Sequence, residues 1–189
     1  MEKRVKEKLI AEVRALDEDS DKMIVEGYAV VFESMTDLGY MKEIIDRNAF
    51  NSCDMSDVCM KYNHEDNVLI MARTRNNSLQ LIVDDRGLKI RAELIDTQNN
   101  KDLYKSIQAG LLDKMSFAFT VKEEEYDYAT DTRRILAIDK LFDVSVVDIP
   151  AYDSTDIYAR DKEKYEKEKE EYYNNLELEK QKAIAILSL

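Results

Sequence analysis

The chain has 189 residues, of which 44% are hydrophobic and 36% charged, and its formal net charge is -12. This length is enough for one domain with its own core. A chain this acidic repels phosphate groups, so neither nucleic acid nor an anionic membrane surface is expected as a partner. No segment has the roughly 20 apolar residues of a membrane span, and the charged N-terminal residues do not resemble a secretion signal.

Cysteine and histidine are scarce, which limits the chemistry that the chain can perform. Cys53 and Cys59 are too few for a disulfide framework, so we expect a reducing, cytoplasmic setting. A zinc site would have to combine both cysteines with His64, and gaps of six and five positions do not match the closely spaced ligand pairs of zinc sites. We therefore expect neither a metal nor a cofactor. His64 is the only histidine, so any reaction that needs an imidazole must use it.

The body of the chain mostly has the two-residue periodicity of β-strands. An alternating segment at 11–15 and an apolar run at 23–32 enclose a polar turn and predict a hairpin. A second hairpin is predicted around the acidic turn that ends in Gly87. In chain order, the strands predicted after the first hairpin cover residues 58–62, 79–83, 88–94, 115–121, 135–138 and 141–147.

Helical spacing occurs in three segments: a short turn at 46–52, a helix at 99–112 and a long charged helix at 161–187. The apolar positions of the last form a broken stripe of Tyr165, Tyr172, Leu176 and Ile184. The pattern predicts a mainly β (α+β) fold, an antiparallel barrel or sandwich with one or two packing helices. We divide the chain into a β domain over 1–159 and a charged C-terminal helical extension over 160–189.

Two of the predicted strands carry polar side chains that could act in catalysis. Ser116 lies on a face of small side chains, opposite the aromatic residues of its strand, where a substrate backbone could approach closely. Asp143 opens a run of valines, and a carboxylate can hold an imidazole in one tautomer. Both residues, like His64 beside its turn, are also common on ordinary solvent-facing strands and turns. The residue pattern by itself leaves both interpretations open.

An ordered series of short segments is more informative than any one of them. In chain order, these segments are 26–32, 42–50, 63–65, 84–88, 115–119 and 143–147, with 150–152 behind the last. The series resembles the prohead (capsid maturation) proteases of tailed bacteriophages, which are related to the herpesvirus assemblins. The resemblance covers roughly residues 9–160.

The resemblance implies a serine endopeptidase on a herpesvirus-protease-like antiparallel β-barrel. The family's nucleophilic serine matches Ser116, its general-base histidine matches His64, and its orienting acid matches Asp143. Members of the family more often carry glutamate at the last position, so Asp143 is a departure. Alternative acids are Asp148, Glu65 and Asp66.

The resemblance also implies substrates and a setting. The substrates are the scaffolding segment of the major capsid protein and the protease itself, inside the assembling prohead in the host cytoplasm. A homodimer is expected by analogy with related proteases. The alternative is a non-catalytic capsid assembly or scaffolding factor on the same fold, in which the barrel binds capsid subunits and the terminal helices act as scaffold. The long C-terminal helix, which catalysis does not need, supports this alternative. A third hypothesis is a soluble β domain with neither role.

Overall fold

The computed structural model of the protein describes residues 13–16, 22–67, 69–148 and 155–187. These residues contain ten strands and two helices, so the fold is mainly β. The strands are β1 (Val13–Leu16), β2 (Met23–Val31), β3 (Met35–Asp37), β4 (Lys42–Ile45), β5 (Cys59–Tyr62), β6 (Ala72–Arg73), β7 (Leu79–Val83), β8 (Gly87–Leu94), β9 (Lys114–Asp127) and β10 (Thr132–Val147). The helices are α1 (Gln98–Gln108) and α2 (Thr155–Leu187).

The first sheet has the strand order β1-β2-β8-β7, and every pairing in it is antiparallel. Both predicted hairpins are confirmed, although the polar turn of the first falls at 17–21, outside the described residues. In the second hairpin, the Asp84 carboxylate accepts hydrogen bonds from the backbone N–H groups of Arg86 and Gly87. Gly87 is required there because a Cβ atom would collide with the carbonyl oxygen of Val30.

The second sheet is built around β10 and has the order β3-β4-β10-β5-β6, with β9 paired along the other edge of β10. The prediction of separate strands at 135–138 and 141–147 is wrong, because one strand spans both. The alternation of polar and apolar residues is interrupted within 135–147, which predicted two strands. The structure keeps one strand there because β9 and β10 pair with register shifts. The β4 and β5 strands run parallel to β10, which the local sequence did not indicate.

The short helix predicted at 46–52 is also wrong; this segment forms successive tight turns. Each turn is closed by a backbone hydrogen bond to the carbonyl three residues earlier. The N–H of Ala49 donates to the Asp46 carbonyl, and the N–H of Asn51 donates to the Asn48 carbonyl. The Asp46 side chain accepts from the Asn48 N–H, and the Ala49 carbonyl accepts from Ile138 on β10. The backbone groups that a helix would use are thus bound by a side chain and by the sheet.

Helix α1 confirms the helix predicted at 99–112, with shifted ends. The hydroxyl of Thr97 caps its first turn by accepting from the Asn100 N–H. Leu103 and Ile107 are buried, whereas Leu111 lies beyond the helix end and is 76% exposed. The chain leaves the helix through Gly110, whose φ of +69° suits glycine.

A single core joins the two sheets. Its fully buried members include Leu88 and Ile90 from the first sheet and Ile135 and Leu141 from the second. Backbone hydrogen bonds also cross between the sheets, for example from the N–H of Val13 to the carbonyl of Asp113, 3.3 Å away. Among the described residues, the strand pairings form two sheets and do not close into one barrel.

Helix α2 packs on the tip of the β9–β10 hairpin through a group of tyrosines. Tyr165 is buried against Tyr126 and Tyr128, and its hydroxyl donates to Asp131 at 2.7 Å. The stripe predicted on this helix continues past the hairpin, so Ile184 is 66% exposed. In the described part of the chain, no helix has a stretch apolar enough to cross a bilayer.

Truncating Tyr165 should loosen this packing. Tyr165→Ala is expected to lower the free energy of unfolding by about 3 kcal/mol, because it deletes a buried ring, and to expose α2 to limited proteolysis. Tyr165→Phe keeps the ring and should lose only the hydrogen bond to Asp131, about 1–2 kcal/mol. The control is Tyr172→Ala, since Tyr172 is 45% exposed. Equal urea midpoints for Tyr165→Ala and Tyr172→Ala would contradict the packing described here.

Asp57 should make folding stability depend on acid pH. Hydrogen bonds from Arg73, together with Arg75, lower the pKa of Asp57 from 3.8 to about 2. A carboxylate whose pKa is lower in the folded state stabilises the fold above its unfolded pKa, and the effect disappears as pH falls through the folded value. The difference in urea midpoint between wild type and Asp57→Asn should therefore be largest above pH 3.8 and shrink toward pH 2. A difference that does not change with pH would refute this.

Candidate active site

His64 lies in a tight turn that follows β5. The N–H of Glu65 donates to the carbonyl of Tyr62 at 3.0 Å, and the two central residues, Asn63 and His64, have φ values of 50° and 57°. Two successive positive φ values are typical of a type I′ turn, which reverses the chain sharply. Asparagine and histidine are among the residues other than glycine that adopt positive φ values most often. The turn therefore directs the imidazole back across the sheet.

Asn63 fixes this turn to the end of β10. Its backbone N–H donates to the carbonyl of Val146 at 3.0 Å, and its side-chain oxygen accepts from the N–H of Asp148 at 3.2 Å. With the turn held at both sides, the imidazole of His64 reaches Asp143, and Nδ1 lies 2.7 Å from Oδ1 of the carboxylate. The His64 side chain remains 35% exposed, so its ring is accessible from solvent.

The Asp143 carboxylate is buried and ionised. Oδ1 accepts hydrogen bonds from His64 and from the hydroxyl of Ser145, the latter at 2.8 Å. Burial by itself raises the pKa of Asp143, but the hydrogen bond and charge of His64, the Ser145 hydroxyl and the nearby Lys61 together outweigh it and lower the pKa. An ionised carboxylate can only accept, so the Nδ1–H tautomer of His64 donates to it. When the imidazole is neutral, its Nε2 atom is left with a free lone pair, as a general base requires.

The other candidate acids are engaged elsewhere. The hydroxyl of Tyr62 donates to the Asp148 carboxylate at 3.4 Å. Asp66 pairs with Lys61, and Glu65 is exposed. An aspartate is long enough to reach the histidine because β5 is paired directly with β10, with Cys59 opposite Asp143. The carboxylate that meets His64 is therefore that of Asp143.

Ser116 lies on the strand next to Asp143. It is paired with Ser145 across β9 and β10, and paired residues on neighbouring strands point to the same face. Phe117, which points the opposite way, packs against the core. Ser116 is half-buried, and within the described residues no hydrogen bond joins it to His64. Such bonds in unliganded enzymes are often long and tighten when substrate binds.

Lys61 belongs to the same site, and the local sequence does not reveal it. It is paired with Ser145 on the side of β10 opposite β9. Lys61, Ser145 and Ser116 thus form a row across three strands. The row depends on the parallel pairing of β5 and β10, and no local motif indicates that pairing. His64 and Asp143 are in contact at this face, and Ser116 shares the face through its pairing with Ser145.

The metal site considered from the sequence, with Cys53, Cys59 and His64, is not assembled. The part of the chain that the structure describes contains no group of three or more side chains placed to hold a metal ion. Both thiols are free, and burial raises the pKa of Cys53. The face described above carries the hydroxyl of Ser116, the imidazole of His64 and the carboxylate of Asp143.

Comparison with known proteins agrees with this set of groups. A family model described as caudovirus prohead serine protease matches residues 10–170. The chain belongs to this family. The chain is also 29% identical, over 145 residues, to the prohead protease of Enterobacteria phage HK97, and the match covers 75% of this chain. It spans 61% of the length of that relative. No solved structure matches the chain.

Proposed function

We propose that the chain is a serine endopeptidase that cleaves the scaffolding segment of the major capsid protein, and itself, inside the assembling prohead in the host cytoplasm. Membership of the prohead serine protease family supports the reaction class. The observation that carries the proposal is the 2.7 Å hydrogen bond between the only histidine and a buried carboxylate, on the face that also holds Ser116. No metal or cofactor is needed for this reaction.

The reaction follows from the roles of these three groups. Asp143 keeps the Nδ1–H tautomer of His64, so Nε2 accepts the proton of the Ser116 hydroxyl as its oxygen attacks the scissile carbonyl. The Asp143 charge stabilises the imidazolium, which then donates its proton to the leaving amine. A water molecule, deprotonated by His64 in the same way, releases the acyl group from Ser116. The imidazolium formed in this second half-reaction donates its proton to the Ser116 oxygen as the acyl C–O bond breaks, so the site returns to its starting state after both half-reactions.

Burial distinguishes the two neighbouring serines as nucleophiles. Ser145 is fully buried, and its hydroxyl donates to Asp143. A peptide cannot reach it without opening the strands around it. Ser116 is half-buried and lies at the same level on the adjacent strand. These differences support Ser116 as the residue that is acylated.

We further propose that the two sheets are parts of one herpesvirus-protease-like barrel. The shared core and the hydrogen bond between Val13 and Asp113 support this arrangement. The division into a β domain at 1–159 and an extension at 160–189 is part of the proposal, with α2 beginning at Thr155. A homodimer is proposed by analogy with related proteases.

Co-expression with the major capsid protein tests the proposed function. Mass spectrometry of the wild-type pair should detect new capsid and protease termini, and the Ser116→Ala pair should yield intact chains. Cleavage at the same positions by Ser116→Ala would overturn the proposal. The experiment also locates the cleavage sites and shows whether the chain processes itself.

The second candidate is a capsid assembly factor that does not cleave. The outer part of α2 favours it, since Ile184 and Ile186 are 66% and 73% exposed and catalysis does not require them. A fluorophosphonate probe, which phosphonylates activated serines with loss of fluoride, separates the two functions when applied to assembled proheads. Labelling at Ser116 supports the protease. Absence of both labelling and cleavage supports the assembly factor.

A further inference from the structure

We infer that Ser145 is a positioning residue, which holds the Asp143 carboxylate so that one of its oxygens faces His64. The part of this inference that concerns catalysis rests on the proposed protease function. The effect of Ser145 on the imidazole can be measured without any catalysis. Alternation along β10 places Ser145 and Asp143 on the same face of the strand.

The geometry that carries the inference centres on one oxygen atom. Oδ1 of Asp143 accepts from His64 Nδ1 at 2.7 Å and from Ser145 Oγ at 2.8 Å. The terminal torsion of an aspartate is broad, so a carboxylate with one partner can turn away from it. A second donor from a side chain that is itself 0% exposed restricts that rotation. The orientation of the imidazole then follows from the orientation of the carboxylate.

The surroundings of Ser145 indicate that its hydroxyl has a specific task. Its chain neighbours Val144 and Val146 are fully buried, and β-branched apolar side chains are favoured at such positions in a strand. A buried hydroxyl is unfavourable unless it is hydrogen-bonded. Here the bond is made to the carboxylate that contacts His64. Strands β5 and β9 pair with β10 on either side of Ser145, through Lys61 and Ser116. The hydroxyl of Ser145 therefore has little freedom to move.

Because the chain contains one histidine, NMR can follow His64 without overlap. The measurement uses the full chain in a Ser116→Ala background, which prevents self-processing. The imidazole nitrogen shifts should indicate the Nδ1–H tautomer, with an Nδ1 proton protected from exchange. Ser145→Ala should move the population toward the Nε2–H tautomer and speed that exchange. Ser145→Thr, which keeps the hydroxyl, should restore the original spectrum.

A kinetic arm measures the catalytic consequence with Ser116 intact. The second-order rate constant for phosphonylation of Ser116 by the fluorophosphonate probe should fall roughly ten- to a hundredfold in Ser145→Ala, the usual effect of losing a hydrogen bond to a charged group. Ser145→Thr should recover most of the rate. The matched control is Val144→Ala, which truncates an equally buried side chain on the opposite face of β10. It should lower stability and leave both the His64 signals and the phosphonylation rate nearly unchanged.

The outcomes separate this inference from the proposed function. An unchanged tautomer, exchange rate and phosphonylation rate in Ser145→Ala would overturn the inference. Equal changes in Ser145→Ala and Val144→Ala would do so as well, because they would reveal only a structural role. If the wild type neither reacts with the probe nor cleaves capsid protein, the proposed function fails, and the NMR arm still decides whether Ser145 orients His64.

Discussion

Replacing Ser116 with alanine is expected to lower the rate of peptide cleavage by a factor of about 10⁶, because the chain then has no hydroxyl to form the acyl intermediate. His64→Ala should have a similar effect. Without the imidazole, the serine proton has no acceptor, and the two groups act as a unit. Each variant should fold normally, since neither side chain is fully buried.

The measurement is the rate at which co-expressed or purified capsid protein is converted to its processed form. Ser52→Ala is a suitable control, since Ser52 is an exposed serine in the turns before β5. It should process capsid protein at the wild-type rate. Circular dichroism and urea unfolding of all three variants establish that the fold is retained. Full processing by the Ser116 or His64 variant would refute the assignment of that residue.

Asp143→Asn is expected to lower the cleavage rate by about 10⁴. The change keeps the size of the side chain but replaces an obligate acceptor with a group that also donates. The buried amide can then select the wrong tautomer of His64, with Nε2 protonated and unable to accept the serine proton. The imidazolium formed during the reaction also loses its buried counter-charge. NMR of His64 should show the tautomer change directly.

Asp148→Asn is the matched control for this prediction, since Asp148 is one of the alternative acids and lies just past β10. Its carboxylate faces Tyr62, so the variant should retain activity within a few-fold. Near-normal cleavage by Asp143→Asn together with a large loss in Asp148→Asn would transfer the orienting role to Asp148. Large losses in both would indicate that the end of β10 must be intact to hold the Asn63 turn.

Local sequence predicted those elements whose shape depends on neighbouring residues. The β7–β8 hairpin follows from the Asp84–Gly87 turn, and α1 follows from the helical spacing of the apolar residues within 99–112. Prediction failed where distant segments of the chain form hydrogen bonds with backbone groups that a local element would otherwise use. The turns after Asp46 replace a helix because β10 binds the Ala49 carbonyl. The length of β10 was missed because its pairing with β9 contains register shifts.

The sequence by itself determined which side chains could take part in catalysis. It contains one imidazole, it places Ser116 opposite the aromatic side chains of its strand, and its ordered segments identify the family. Only the tertiary structure decided which carboxylate meets His64. That contact depends on the parallel pairing of β5 with β10, which joins residues 79 positions apart. Alternation along a strand specifies the face that a side chain occupies, whereas the register between strands specifies which side chain lies beside it.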